Sequence, residues 1–290
     1  MGKRLVEQIV SSLARANWPA APQATALGRK TYEIGLDQVD TYKDDPKHLA
    51  SALRTFLGGD SQAYAYAGVA YALLAAAREK EGSYDQAGVQ AALQWLEKAQ
   101  ANEPDQLEIN FIEALIYIYG QRLEEARLVL DYLWQVDPDY YYLYAAEVAY
   151  WQQQNDLEQI IHWCKKASAA AVSNPQRLRW RRIIADSYFA FEQYEQAIPA
   201  YREAIHVDTQ NPELWHQIAL IYWQLENDEE TERAIQQALR LQADYQPAQK
   251  LAAALVEKRK KKTTGRLGDF SGRLPPLPRG GGGPRGRGLG

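Results

Sequence analysis

LRWRRIIADSYFAFEQYEQAIPAYREAIHVDTQN (178–211) runs directly into PELWHQIALIYWQLENDEETERAIQQALRLQADY (212–245). Both stretches are 34 residues long, and Ala185 aligns with Ala219, Tyr188 with Tyr222 and Ala204 with Ala238. A fixed period of this length marks stacked helical repeats, each burying its apolar side against the next. Ile183, Ile184, Ser187, Tyr188 and Phe191 recur at three- and four-residue spacing, which predicts one amphipathic helix. A polar break at Glu192 and Gln193 follows. Tyr194, Ala197, Ile198, Tyr201, Ala204 and Ile205 then predict a second helix. Small residues let the two backbones approach, and the tyrosines fill the space around them.

The pattern of paired helices resembles the tetratricopeptide repeat (TPR) family. In 212–245, Trp215, Ile218, Ala219, Tyr222 and Ala238 stand at the family's characteristic places, while Thr231 and Ile235 replace an alanine and an aromatic. In 178–211, Ile184, Ala185, Tyr188, Ala197, Tyr201 and Ala204 match, with Arg181 and Thr209 departing from the early aromatic and the closing proline. Stepping back one period, Leu157, Ile160, Cys164 and Ala167 fit the second helix of a unit at 141–174, with three extra residues, Pro175 to Arg177, before the next copy. Leu123, Ala126, Leu130, Leu133 and Pro138 do the same for 107–140, whose first helix carries Ala114 and Tyr117. The phase of the first helix in these two units is open by one residue. Gly68, Tyr71, Ala92, Leu96, Ala99 and Pro104 define a unit at 61–106, stretched around residues 78–88 by a longer first helix and an inserted turn. The resemblance implies an all-α, right-handed superhelical solenoid of antiparallel helix pairs.

Outside the five units, LVEQIVSSLARANW (5–18) reads as an amphipathic helix, and Asp45, Pro46 and Gly58 as the start and stop signals of a helix over 46–57. Residues 28–57 are expected to form a degenerate hairpin within an N-terminal capping region, 1–60. Residues 246–262 are expected to form a capping helix that covers the last repeat with Ala248, Leu251, Ala252 and Leu255. From 263 to 290 Gly and Pro make up half of the residues, too little apolar surface to repay ordering, so this tail is expected to be disordered.

The formal charge of −4 hides an asymmetry. Ten Lys/Arg against two Asp/Glu fall in 256–290, which leaves an acidic body. That balance argues against nucleic acid as the ligand of the repeats. The single cysteine, Cys164, sits at a packing position and excludes an intramolecular disulfide. His48, His162, His206 and His216 have no metal-ligand spacing, and phosphate-loop, nucleophile-elbow and dinucleotide signatures are missing. No secretory leader or membrane span is legible, and a cytoplasmic location is the default expectation. No enzyme activity, cofactor or metal is expected.

The family binds peptides along its first helices. Carried onto this chain, that places Arg179, Arg182, Asp186 and Phe189 of one unit, and Glu213, His216, Leu220 and Trp223 of the next, in a groove. The unit at 141–174 would add Tyr141, Tyr144, Val148 and Trp151, or Tyr142, Ala145 and Ala149 if its phase slips. Aromatic and arginine side chains dominate binding hot spots, and Arg179 and Arg182 share a helix face suited to a carboxylate. The Lys/Asn clamp by which some TPR co-chaperones hold a chaperone tail is not in place: Ala65, Val69, Ala145, Ala149 and Ile183 occupy its positions. The expected function is a non-catalytic scaffold or adaptor that holds a peptide or helix of a partner protein. The alternative is association with RNA or an anionic surface through 256–290, where RLPPLPR (273–279) and RGGGGPRGRG (279–288) are the candidate motifs. Self-association through an open end of the stack is a third reading.

Overall fold

A computed structural model describes residues 2–20, 25–40, 46–79 and 83–270, the side chains of 4–20, 25–40, 46–79 and 83–261 among them. Within these residues the chain has fourteen α-helices and no strand, only one isolated bridge between Arg78 and Tyr84. Three helices precede the repeats: α1 (Gly2–Leu13), α2 (Ala26–Asp40) and α3 (Pro46–Leu57). The five units follow as pairs: α4 (Gln62–Ala77) with α5 (Gln86–Asn102), α6 (Leu107–Tyr119) with α7 (Leu123–Val136), α8 (Leu143–Gln153) with α9 (Leu157–Ala170), α10 (Asn174–Ala190) with α11 (Tyr194–Val207), and α12 (Pro212–Gln224) with α13 (Asp228–Leu241). The last helix is α14 (Gln246–Phe270). The chain forms two compact bodies, 1–200 and 201–290, the division falling inside α11.

Helix starts follow capping chemistry. Ser61, Asp85, Asp156, Ser173, Asn211 and Asn227 each turn a side-chain oxygen onto a backbone N–H of the first turn. These contacts satisfy donors that have no partner inside the helix. The two helices of each regular unit are joined by one repeated turn. Gln121, Asn155, Glu192 and Glu226 have φ of 62°, 56°, 58° and 55°. In each turn the following residue donates its N–H five residues back, as Arg122 does to Tyr117 (2.8 Å) and Asn227 to Tyr222 (2.9 Å). This is the Schellman closure, normally built on glycine.

These left-handed residues are a ruler for the repeat. They fall 34, 37 and 34 residues apart, which locates the three-residue insertion between Asn155 and Glu192. The insertion is taken up by α10, which starts at Asn174 and has 17 residues against 13 in α12. The ruler also removes the ambiguity of phase: the four turns coincide when the units start at 107, 141, 178 and 212. Arg78 leaves α4 extended and pairs with Tyr84, which in turn stacks on Tyr119 with centroids 4.0 Å apart.

The core lies between the helices of each pair. In the second helices, Ala126, Leu130, Leu133, Cys164, Ala167, Ala197, Ala204 and Ala238 are all fully buried. Thr231 takes an alanine place because its hydroxyl donates to the Asn227 carbonyl at 2.8 Å and is not left stranded. Burial pushes the Cys164 thiol up to about 12, so it packs as an inert side chain. In α4 the small residue is Gly68, and Phe56 of α3 fills the place where a Cβ would stand.

Two expectations need correction. The helix expected over 5–18 ends at Leu13, and Trp18 instead lies in the following segment, stacked on Trp95 with centroids 5.0 Å apart. Helix α14 continues to Phe270, beyond the cap expected to end at Lys262, because its glycines cost only about 1 kcal/mol each and do not break it. The extra length of unit 61–106 is divided as expected between a first helix of 16 residues, against 13 in α6, and the bridged connection that follows it. Asp45 and residues 271–290, with both tail motifs, lie outside the described residues.

A non-glycine residue in the left-handed region carries about 1–2 kcal/mol of strain. Replacing Glu226 by Gly is therefore expected to stabilise residues 201–290 by about 0.5–1 kcal/mol, after the entropy cost of glycine is subtracted. Replacing it by Val is expected to destabilise by a similar amount or more. Denaturant midpoints of the two variants check this.

Candidate functional site: the first-helix face

Counting each unit from its first residue, position 2 is held by Glu108, Tyr142, Arg179 and Glu213. Within residues 1–200, helix α2 reaches the first three of these. Its contact stripe is Arg29, Glu33, Asp37 and Asp40, spaced four, four and three residues apart, so the four share one side of the helix. Arg29 pairs with Glu108 at 2.6 Å. The Tyr32 hydroxyl donates to the Glu108 carbonyl at 2.9 Å. Tyr142 donates to Asp37 at 3.2 Å, and Arg179 is ion-paired with Asp40. Asp40 also accepts from Tyr71 of α4 at 2.5 Å. The other side of α2 supplies Leu36 and Val39 to the core, and Gly35 lets Phe56 pack against its backbone. The starts of these three first helices are thus already engaged by a helix of the same chain.

The pairing is built to neutralise buried charge. Glu108 is 1 % exposed, and Gln106 and Tyr64 supply further hydrogen bonds at 2.5 and 3.5 Å. Burial is the largest influence on Arg179 and lowers its pKa to about 10, with Asp37 opposing the shift, so the guanidinium stays charged at neutral pH. Glu147, also 1 % exposed, is held without help from α2. Arg127 grips it in a fork at 2.9 and 3.1 Å, and the indole N–H groups of Trp134 and Trp151 donate at 2.7 and 3.1 Å. A carboxylate with four donors is satisfied in a place where an unpaired one would cost several kcal/mol.

The residues singled out from the sequence divide between packing and exposed roles. Arg179 is engaged by Asp40 in place of a partner's carboxylate. Tyr141 accepts a hydrogen bond from the Trp180 indole at 2.6 Å. Tyr144 packs against Trp134 and Trp163 (centroids 5.6 and 6.3 Å), and Trp151 is bound to Glu147. These three aromatics serve the inside of the stack. The ruler of left-handed turns places them at positions 1, 4 and 11, whereas Arg179, Arg182, Asp186 and Phe189 hold positions 2, 5, 9 and 12. Val148 is buried. Arg182 and Asp186 face each other at 3.5 Å across one turn of α10, and Phe189 lies half-buried against Tyr194.

In residues 201–290, Glu213 and His216 lie on α12, with His216 edge-on to Tyr245 at 5.8 Å. Trp223 is covered by Lys258 of α14, whose ammonium sits 4.6 Å from the ring centroid and 2.7 Å from Asp228. Arg259 pairs with Glu232 at 2.8 Å. The first basic residues of the C-terminal segment are therefore neutralised by the acidic start of α13. Among the described residues, no three His, Cys, Asp or Glu side chains group as a metal site, and no helix is long and apolar enough to cross a membrane.

Sequence reasoning expected a hairpin over residues 28–57 but missed the contacts of its first helix, α2, with the repeats. Its polar stripe was legible as helical spacing, but its partners lie 76 and 139 residues away for Tyr32–Glu108 and Asp40–Arg179. No local pattern encodes such pairs.

Helix pairs at a constant period, closed by one recurring left-handed turn, define an α-solenoid repeat protein. A TPR repeat family model matches residues 185–226 and a tetratricopeptide repeat model matches 212–245. The chain is a TPR family protein, and its fold is that of a protein-interaction scaffold. No curated protein sequence matches it. Among solved structures it is similar to the APC/C hetero-tetramer Cut9–Hcn1, at 13% identity and a TM-score of 0.51, covering 79% of this chain and 46% of that one. It thus spans less than half of that chain. It is also similar to PilF of Pseudomonas aeruginosa (11% identity, TM-score 0.51, 70% of this chain and 86% of that one). A third is a thermophilic TPR protein of Thermus thermophilus (18% identity, TM-score 0.42, 59% and 92%). At these identities the likeness concerns the fold.

Two outcomes test the electrostatics. Arg29→Ala strands Glu108 and is expected to cost about 2–3 kcal/mol, whereas Glu33→Ala, at a half-exposed pair, is expected to cost under about 1 kcal/mol. Urea unfolding of both variants compares them. Burial also lowers the His216 pKa below its ordinary 6.5, against an opposing effect of Glu213. Its contribution to stability is complete above about pH 6.5 and is lost as pH falls through the lower folded value. His216→Gln is expected to flatten the decline in unfolding midpoint between about pH 7 and pH 5.

Proposed function

We propose that the chain is a non-catalytic adaptor that holds a peptide or helix of a partner protein against a first-helix face. In residues 1–200 the candidate stretch for a partner is the α10 stripe of Arg182, Asp186 and Phe189. The observation that supports this reading is the row of Arg182, Asp186 and Phe189 at helical spacing on α10, with the Arg182 and Asp186 side chains partly exposed (26% and 45%). Arg182 and Phe189 lie one and three turns further along α10 from Arg179, where a docked segment meets a guanidinium and an aromatic edge. A partner carboxylate competes with Asp186 for Arg182 at modest cost, because half-exposed ion pairs contribute little. An aromatic ring supplies much of the contact area at low entropy cost.

The test is affinity capture with the intact protein and with an Arg182→Glu/Phe189→Ala variant. The variant is expected to keep its helical circular dichroism and to lose its partners by tenfold or more. Recovery of the same partners in the same amounts by both proteins overturns the assignment of the face.

A further inference from the structure

Helix α7 carries an apolar stripe on its outer side. Leu128, Tyr132 and Val136 are 71%, 46% and 52% exposed and lie four residues apart, in one row along the helix. The inward side of the same helix is complete without them: Ala126, Leu130 and Leu133 are fully buried, and Arg127 and Trp134 hold Glu147. The Leu128 and Tyr132 pair is peculiar to this unit, whereas the Val136 place is also apolar in Ala170, Val207 and Leu241. Where α7 has Leu128 and Tyr132, α5 has Gln94 and Lys98, α9 has His162 and Lys166, α11 has Pro199 and Glu203, and α13 has Arg233 and Gln237. The repeat itself therefore does not require an apolar pair at these places. Isolated exposed apolar residues need no explanation, but a contiguous row on one helix marks a contact surface.

The surroundings define the occupant. Glu124, Glu125, Asp131, Asp137 and Asp139 border the stripe, against Arg122 and Arg127. Both arginines are already paired, with Glu125 at 3.0 Å and with Glu147 and Asp131 at 2.9 Å. A second copy of α7 laid antiparallel on the first would set Glu124 and Glu125 against Asp137 and Asp139, acid against acid. Charge complementarity therefore favours a different partner, basic at its edges. A row of side chains at four-residue spacing is the ridge that another helix accepts in its grooves.

We propose that the outer face of α7 is a second docking surface, for an amphipathic helix with an apolar stripe flanked by Lys and Arg. It lies on a second helix of its repeat and does not depend on the α10 stripe, so either assignment can fail alone.

The test uses the full-length protein and two synthetic helical peptides of equal length, each with leucines at three- and four-residue spacing. One peptide is flanked by lysines and the other by glutamates. Fluorescence anisotropy is expected to show the lysine-flanked peptide binding at least tenfold more tightly. Leu128→Asp and Tyr132→Asp are each expected to weaken it by tenfold or more, with circular dichroism and melting unchanged. Both substitutions add negative charge, so simple attraction to an acidic protein predicts tighter binding, and that result overturns the proposal. Equal binding of the two peptides, or binding of neither, overturns it as well. Sedimentation that shows a dimer made monomeric by Tyr132→Asp assigns the stripe to self-association and also overturns it.

Discussion

The structure depends on close helix approach at places where side chains are nearly absent. Ala114 and Ala126 in one unit, and Ala219 and Ala238 in another, are fully buried. A larger residue at such a place costs about 1–3 kcal/mol of overpacking. Once two helices are drawn that close, the connection between them has little freedom. Gln121, Asn155, Glu192 and Glu226 all take the same left-handed conformation, although none is glycine.

Helix α2 changes the meaning of the first-helix face. Position 2 of three successive units is Glu108, Tyr142 and Arg179, an acid, a phenol and a base, and α2 meets each with a matching group. Tyr32 and Leu36 tie the same helix to the core, so α2 is part of the body it covers. The starts of three first helices, which a solenoid ordinarily leaves open, are met from within residues 1–200.

The sequence disclosed the parts of the fold that repeat. Alanine, tyrosine and leucine at fixed spacing announced the five units, because close packing allows few residue types at those positions. It left the phase of units 107–140 and 141–174 open, since Glu113 and Glu147 stand where the last two units have Ile184 and Ile218, and Val148 stands where the other units have alanine or glycine. Glu147 is tolerated there only because Arg127, Trp134 and Trp151 surround it, a constellation no single repeat encodes. Register nominated Arg179, Arg182, Asp186 and Phe189 as candidates, but it did not disclose the engagement of Arg179. Its partner Asp40 belongs to a helix outside the period.

The central claim is that α2 lies across the starts of three first helices, locked at its end by Asp40 and Arg179. A double-mutant cycle with Asp40→Asn and Arg179→Gln tests it most directly, since Asn keeps an acceptor for Tyr71. The account predicts a coupling energy of about 1 kcal/mol or more in urea unfolding. Additive effects of the two substitutions, within about 0.3 kcal/mol, would contradict it.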